Sequence, residues 1–175
     1  MMAGSKLSMP AEQVFVPEAS NHRAFRNALG SFTTGVTVVT AMADQGAIGM
    51  TVNSFASVSL DPPLVLWSPA KSSSKHGAFS QAEHFAIHVL GADQDGLSTA
   101  FTRGGAGFEG LVWALNAEGV PVLAGTLARF ECVKAQLHDA GDHTIIIGRV
   151  LRVAHREGEP LCFSGGRFGR FAHQG

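Results

Sequence analysis

From residue 36 to residue 164 the chain runs through one short β-branched or apolar segment after another, most of them closed by a turn former. Residues 36–40 (VTVVT), 48–52, 57–60 and 64–68 follow in quick succession, the last two hinged on Asp61-Pro62-Pro63. Segments this short, rich in Val, Ile and Thr and bounded by Gly, Pro, Asn or Asp, read as strands. Parallel neighbours would need a crossover helix between each pair, and no regular βαβ alternation is present. The pattern predicts a mainly β fold, a closed or partly closed antiparallel barrel with peripheral α-helices.

Three helical segments punctuate the strands. Residues 21–29 (NHRAFRNAL) set Phe25 and Leu29 four apart, with Asn21 as N-cap and Gly30 as the stop, and predict a short helix packed on the sheet. Residues 72–81 (SSSKHGAFSQ) and 92–101 (ADQDGLSTAF) read as the other two, the latter with Asp93 and Asp95 near its positive end. In 84–90, Phe85, Ile87 and Val89 alternate with His84, Ala86 and His88, predicting a strand with one apolar face and a solvent-facing histidine pair. Between 126 and 138 the apolar parity switches after Cys132, as a β-bulge there would make it do, and bulges let a sheet curl. Residues 143–154 are apolar on both parities up to Arg149, so that strand should be buried on both faces, central, and a candidate dimer contact. Residues 161–164 give a last strand, and 103–110 a glycine-rich loop. Residues 1–20 read as a flexible arm and 21–175 as the single domain that 175 residues allow.

Charge and composition remove whole classes of function. Thirteen basic residues against 14 acidic ones, for a net charge of −1, leave no electrostatic footprint for nucleic acid. Arg149, Arg152, Arg156, Arg167 and Arg170 cluster late, and on strands they fit a solvated face as well as an anion site. A 45% hydrophobic and 15% charged chain is ordered, and part of its surface is expected to be covered by a second subunit. Cys132 and Cys162 have neither zinc-ligand nor disulfide-framework spacing and read as reduced thiols. Without a single Tyr, no phenol can serve as proton donor. The start lacks the pattern of a secretory signal, and the longest apolar runs, 64–67 and 145–147, are too short to span a membrane, so a cytoplasmic protein is expected.

Several motifs carry little weight. Gly105-Ala-Gly107-Phe-Glu-Gly110 matches a dinucleotide fingerprint in letters but lacks the apolar strand that must precede it. His84 and His88 have ligand spacing without a third ligand, and no metal site is expected. No nucleophile elbow is present. Three other clusters say more. Residues 49–59 (GMTVNSFASVS) gather the hydroxyls of Thr51, Ser54, Ser57 and Ser59 and the amide of Asn53 beside Val52, Phe55 and Val58. A planar heteroaromatic ring needs that mixture of polar edge and apolar cover, although an ordinary polar strand end would look similar. One strand later, Ser68, Lys71, Ser72, Ser73 and Lys75 could hold a phosphate or could cap a helix among solvated lysines. Ring and phosphate sites together describe flavin mononucleotide or a similar ligand. Lastly, Gly141-Asp142-His143, with Gly165-Gly166-Arg167-Phe168 near the end, could receive a second ligand such as a nicotinamide nucleotide, or be capped turns.

Taken in order, Phe32-Thr-Thr-Gly-Val-Thr-Val-Val-Thr40, Gly49-Met-Thr-Val-Asn-Ser-Phe55, Ser57-Val-Ser-Leu-Asp-Pro-Pro-Leu64, Lys71-Ser-Ser73, Ala92-Asp-Gln94 and Gly141-Asp-His143 resemble the flavin reductase family, which supplies reduced flavin to two-component monooxygenases. The resemblance implies a split β-barrel of the antiparallel Greek-key, FMN-binding type, a homodimer, and hydride transfer from NADH or NADPH to FMN or FAD. By position it implies that Thr51, Val52, Asn53 and Ser54 border the isoalloxazine, that Ser72 and Ser73 help hold the phosphate, and that His143 meets the nicotinamide nucleotide, with Arg167 and Phe168 near it. Phe101 and Arg103 are further flavin candidates, reaching across from a second subunit. The chain departs from the family pattern in three respects: Val52 stands where Ala is common, Lys75 where Thr is common, and Phe163 and Phe168 lie in a region where Tyr is common. The residues leave open FMN or FAD, NADH or NADPH, retained or diffusible flavin, and the identity of any monooxygenase partner. A flavin-binding electron carrier or store without nicotinamide turnover is the alternative from another class, and a barrel that only dimerises is a further one.

Overall fold

A computed structural model describes residues 12–102 and 107–172. Its strands are β1 (Thr34–Gly35), β2 (Thr37–Ala43), β3 (Gly46–Val52), β4 (Ala56–Leu60), β5 (Pro63–Trp67), β6 (His84–Val89), β7 (Trp113–Leu115), β8 (Pro121–Leu123), β9 (Ala128–Ala140), β10 (His143–His155), β11 (Leu161–Ser164) and β12 (Arg167–Arg170). The helices are α1 (His22–Leu29), α2 (His76–Gln81) and α3 (Asp95–Ala100). Seven strands form one sheet in the order β3-β2-β6-β9-β10-β5-β4, β7 pairs with β8, and β11 pairs with β1 and β12. Every one of these ladders is antiparallel.

The large sheet is strongly curled. Laid flat, β3 and β4 would stand six strand spacings of about 4.8 Å apart. Yet Met50 and Val52 of β3 pack on the same buried cluster as Val65 and Trp67 of β5, together with Val39, Phe79, Phe85, Ile87, Cys132 and Ile146. Trp67 lies edge-on to Phe79, with ring centroids 5.1 Å apart. Because β3 and β4 share no ladder, the sheet is open at this seam, and the three residues Asn53 to Phe55 link its two edges. The long β9–β10 hairpin carries two irregularities of the kind that let a sheet bend: its register slips between Ile147 and Gly148, where Ala135 is skipped, and again between Val150 and Arg152. Cys132, opposite Val150, adjoins the second slip, so the parity switch read near Cys132 corresponds to two irregularities that flank it.

The β7–β8 hairpin covers the outer face of the sheet and corrects the expected character of β6. Ala86 packs against Val120 and Val122. His88 is fully buried, its Nδ1 bonded to Val38 O at 3.0 Å and its Nε2 accepting from the Leu123 amide at 3.1 Å. It is therefore not half of a solvent-facing pair, because a hairpin distant in sequence roofs the face that alternation assigned to water. Burial holds its pKa down at about 4, so the ring is neutral and clamps β2, β6 and β8 together. Beside it, Glu131 accepts from Asn116, Arg129 and Arg152. Burial raises its pKa, but those hydrogen bonds outweigh burial and hold the carboxylate ionised.

Other expectations also shift. Helix α1 ends before Gly30 as read, but it buries none of its residues, and Phe25 and Leu29 are exposed instead of packed on the sheet. Its N-cap Asn21 spends its side chain on the preceding turn, donating to Val16 O and accepting from the Glu18 amide. Helices α2 and α3 begin at His76 and Asp95, later than read, because residues 72–75 and 92–94 form the turns that lead into them. Strand β10 is not buried evenly on both faces: Thr144, Ile146 and Gly148 are buried, while Ile145 and Ile147 are half-buried. The glycine-rich end is no loose tail, since Gly165 and Gly166, with φ of 55° and 80°, supply the tight turn joining β11 to β12. No helix among the described residues is long and apolar enough to cross a membrane.

Candidate active site

Strand β3 lies at the edge of the sheet, so part of its backbone has no ladder partner. Lys75 Nζ donates to Gly49 O at 2.7 Å, and the Thr51 amide donates to Phe101 O at 3.3 Å. Gly49 is required by close approach, since a Cβ there would lie 2.4 Å from the Phe101 ring. Phe101 itself is 2% exposed, packed with Val36, Val38, Leu90 and Leu123 and edge-on to Phe108. Its ring therefore belongs to this chain's own core, which corrects the expectation that it reaches a ligand in a second subunit. Thr51 Oγ1 donates to Ser98 O at 2.6 Å and fixes α3 against β3.

Between these elements and the β11–β12 hairpin lies a cleft of about 180 Å³, lined by Val36, Thr51, Val52, Asn53, Ser98, Thr102, Phe163 and Phe168. It brings together Thr51, Val52 and Asn53, read from the sequence as a ring edge, and Phe168, read as part of the nicotinamide site. The Phe163 and Phe168 rings pack at 5.6 Å and form an apolar wall. Asn53 is exposed, and its amide makes no hydrogen bond within the described residues. Ser98, Thr102 and Val36 were not singled out from the sequence, because only the fold of α3 and the β1–β2 segment onto β3 makes them neighbours. Phe163, singled out from the sequence only as standing where Tyr is common, faces Phe168 across the β11–β12 ladder.

The second cluster adjoins the first. The Ser68 amide donates to Ser54 Oγ at 2.9 Å, and Ser54 Oγ donates back to Ser68 O at 3.3 Å, tying the seam residues to the end of β5. Ser72 is exposed, and Ser73 Oγ accepts from the Lys75 amide at 3.3 Å. Partial burial lowers the Lys75 pKa. Lys71 is placed differently from the reading that grouped it with the phosphate serines: its ammonium is engaged by Asp139 at 2.8 Å and by Gly141 O at 2.6 Å, in the β9–β10 turn. The same contact carries the third cluster here, because the Lys71 amide donates to Asp142 O at 2.8 Å and the Thr144 amide to Pro69 O at 3.1 Å. His143 Nδ1 bonds Asp142 Oδ1 at 2.8 Å, a contact that lowers the Asp142 pKa, and the His143 ring is 42% exposed.

Hydrogen bonds thus link residues 49–54, 68–75 and 141–143 in series, and Phe163 and Phe168 line the cleft together with Thr51, Val52 and Asn53. Ser57 and Ser59 lie farther along β4, on either side of a register slip, and do not line the cleft. Arg167 is exposed on β12 beside Phe168. Arg103 lies outside the described residues, as does part of the glycine fingerprint. Among the described residues, no cluster of His, Cys, Asp or Glu could hold a metal ion.

Comparison with known proteins gives this geometry a lineage. The chain is 73% identical over 168 residues to the FMN reductase (NADH) SmoA of Agrobacterium fabrum, a match spanning 96% of this chain and 97% of that one. It is 39% identical over 153 residues to the reductase subunit HsaB of a flavin-dependent monooxygenase from Rhodococcus jostii, covering 86% of this chain and 78% of the relative. Among solved structures, the NADH:FAD oxidoreductase of Streptomyces globisporus superposes with a TM-score of 0.86 at 39% identity, over 97% of this chain and 96% of that one. The same protein in complex with NAD and FAD fragments gives a TM-score of 0.84 over 91% and 98% of the two chains. Residues 29–172 match the model of the flavin reductase like domain, and the chain belongs to that family.

Proposed function

We propose that this protein is an NADH-dependent flavin reductase, with FMN as its flavin, that hands reduced flavin to a flavin-dependent monooxygenase. The observation that carries the site assignment is the cleft itself, where the unladdered edge of β3 at Thr51–Asn53 faces the apolar Phe163–Phe168 wall. A flavin ring needs hydrogen-bonding groups at its edge and apolar cover on its faces, and the cleft supplies both. The phosphate end of FMN fits the adjoining turn, with Ser72, Ser73 and the Lys75 ammonium as its partners. His143, held by Asp142, is the partner for the nicotinamide nucleotide, and Arg167 and Phe168 close the opposite side.

When bound, flavin supplies N5 as acceptor for the hydride leaving C4 of the reduced nicotinamide. The chain's part is positioning, and no side chain needs to exchange a proton in that step. Thr51 and Val52 would meet the ring edge, and Thr51 is held in place for that by its bonds to Ser98 O and Phe101 O. The Thr51 amide is spent on Phe101 O, so the backbone N–H groups beyond it, at Asn53 and Ser54, would be the ones to favour negative charge on the ring as it is reduced.

The seam between β3 and β4 closes into a split barrel in this reading, supported by the single apolar interior that both halves of the sheet share. A homodimer is supported by exposed Phe25, Leu29 and Phe32 around α1. Two free cysteines suit a reducing, cytoplasmic setting. The test is to add FMN, FAD, NADH and NADPH in all pairs to the purified protein and follow NAD(P)H oxidation. Fast turnover is expected with FMN and NADH. Tight flavin binding without NADH oxidation would instead identify a flavin carrier, and the absence of any flavin-induced thermal shift would remove the flavin site altogether.

A further inference from the structure

Both peptide units that lead into His143 end on Lys71. A two-residue turn, Gly141-Asp142, joins β9 to β10, with Ala140 paired to His143 and Gly141 at a φ of 68°. Gly141 O, on the first unit, accepts from Lys71 Nζ at 2.6 Å, and Asp142 O, on the second, accepts from the Lys71 amide at 2.8 Å. The ammonium also reaches both carboxylate oxygens of Asp139, at 2.9 and 2.8 Å. An ammonium has three N–H donors, and these three acceptors occupy all of them. Ser72 and Ser73 follow Lys71 directly, so one residue ties the turn that carries His143 to the turn beside the cleft.

We infer that Lys71 is a positioning residue for the nicotinamide nucleotide, its ammonium fixing the turn that presents His143 instead of binding the flavin phosphate. The inference rests on the reading of His143 as the nicotinamide partner. Glycine is costly to hold in one conformation, and Asp142, which bonds the His143 ring, is itself exposed and anchors nothing. Without the ammonium, the Gly141 carbonyl is released to water and the His143 ring loses its fixed aim. That loss weakens NADH binding and leaves hydride transfer from bound NADH largely as it was. The role is separable from folding. The Lys71 amide to Asp142 O and the Thr144 amide to Pro69 O are backbone contacts that survive a change of side chain, and an exposed ion pair adds little to global stability.

The test is a double-mutant cycle of Lys71→Met and Asp139→Asn, with His143→Ala as the reference. Each protein is measured for KM and kcat with NADH at saturating FMN, for the FMN dissociation constant and for melting temperature. His143→Ala comes first, and an unchanged KM for NADH there would remove the nicotinamide reading and the inference with it. Given a raised KM in that variant, Lys71→Met is expected to raise KM for NADH about fivefold, with kcat and the FMN dissociation constant changed less than about twofold. Its melting temperature should stay within about 2 °C of wild type. Asp139→Asn, which removes the charge that aims the ammonium, should raise KM at least about twofold, and the double variant should be no worse than Lys71→Met because the pair acts as one unit. Unchanged KM for NADH in either single variant would overturn the inference, as would a double variant whose effect is the product of the two. Weaker FMN binding in Lys71→Met would return its ammonium to the phosphate, and a large fall in melting temperature would assign it to the fold; either result overturns the inference equally.

Discussion

The buried imidazole of His88 predicts a specific weakness towards acid. Its ring is neutral in the fold, where burial holds its pKa at about 4, against 6.5 when the chain is unfolded. Between those values the unfolded chain takes up a proton that the folded chain refuses, so stability is present above pH 6.5 and drains away as pH falls towards 4. At 1.36 kcal/mol per pKa unit, the full contribution is about 3 kcal/mol. About 2 kcal/mol of it should be lost between pH 7 and pH 5, before most carboxylates titrate. Urea unfolding at fixed protein concentration across that range measures the loss directly. In a His88→Asn variant, overall stability should be lower at pH 7, because Val38 O and the Leu123 amide lose their shared partner. Its stability should, however, be flatter than that of wild type between pH 7 and pH 5. Equal slopes for the two proteins, or a His88 ring resonance titrating near 6.5 in the folded state, would refute the clamp.

Gly49→Ala places a Cβ 2.4 Å from the Phe101 ring and should cost about 1–3 kcal/mol with weaker FMN binding, and a second change, Phe101→Leu, should restore part of both. His143→Ala should raise KM for NADH far more than it raises the FMN dissociation constant, whereas equal losses would remove His143 from the nicotinamide side. Lys75→Met should weaken FMN about tenfold or more while sparing riboflavin, as loss of a charge-assisted phosphate contact requires, and parallel losses would move Lys75 to the ring. Burial pushes the Cys132 thiol up to about 12, so peptide mapping after iodoacetamide treatment at pH 8 should find Cys132 unmodified until the protein is unfolded.

What the sequence made legible follows from local physics. Strand segments closed by turn residues were readable because each needs only its own β-branched run and its own punctuation. The polar run at Thr51–Ser54 and the Gly141–His143 turn were readable as residue types in a pattern. What sequence could not supply is coverage by distant elements. His88 looked wet because nothing near it announces the β7–β8 roof. Phe101 looked available because its burial depends on Gly49, more than fifty positions earlier. Lys71 looked like a phosphate ligand because Asp139, its partner, lies near the end of β9, 68 positions later. Helix α1 shows the converse: Phe25 and Leu29, four apart, promised a face packed on this sheet, and among the described residues neither is buried.

The proposed function requires one placement, the flavin ring against the β3 edge. A crystal structure with FMN bound tests it most directly. The ring should lie along Thr51–Asn53 beneath Phe168, with its phosphate beside Ser72, Ser73 and Lys75. A flavin seated instead in the larger cavity of about 530 Å³ between α3 and β8, lined by Asp93, Leu97, Leu111 and Leu123, would contradict it.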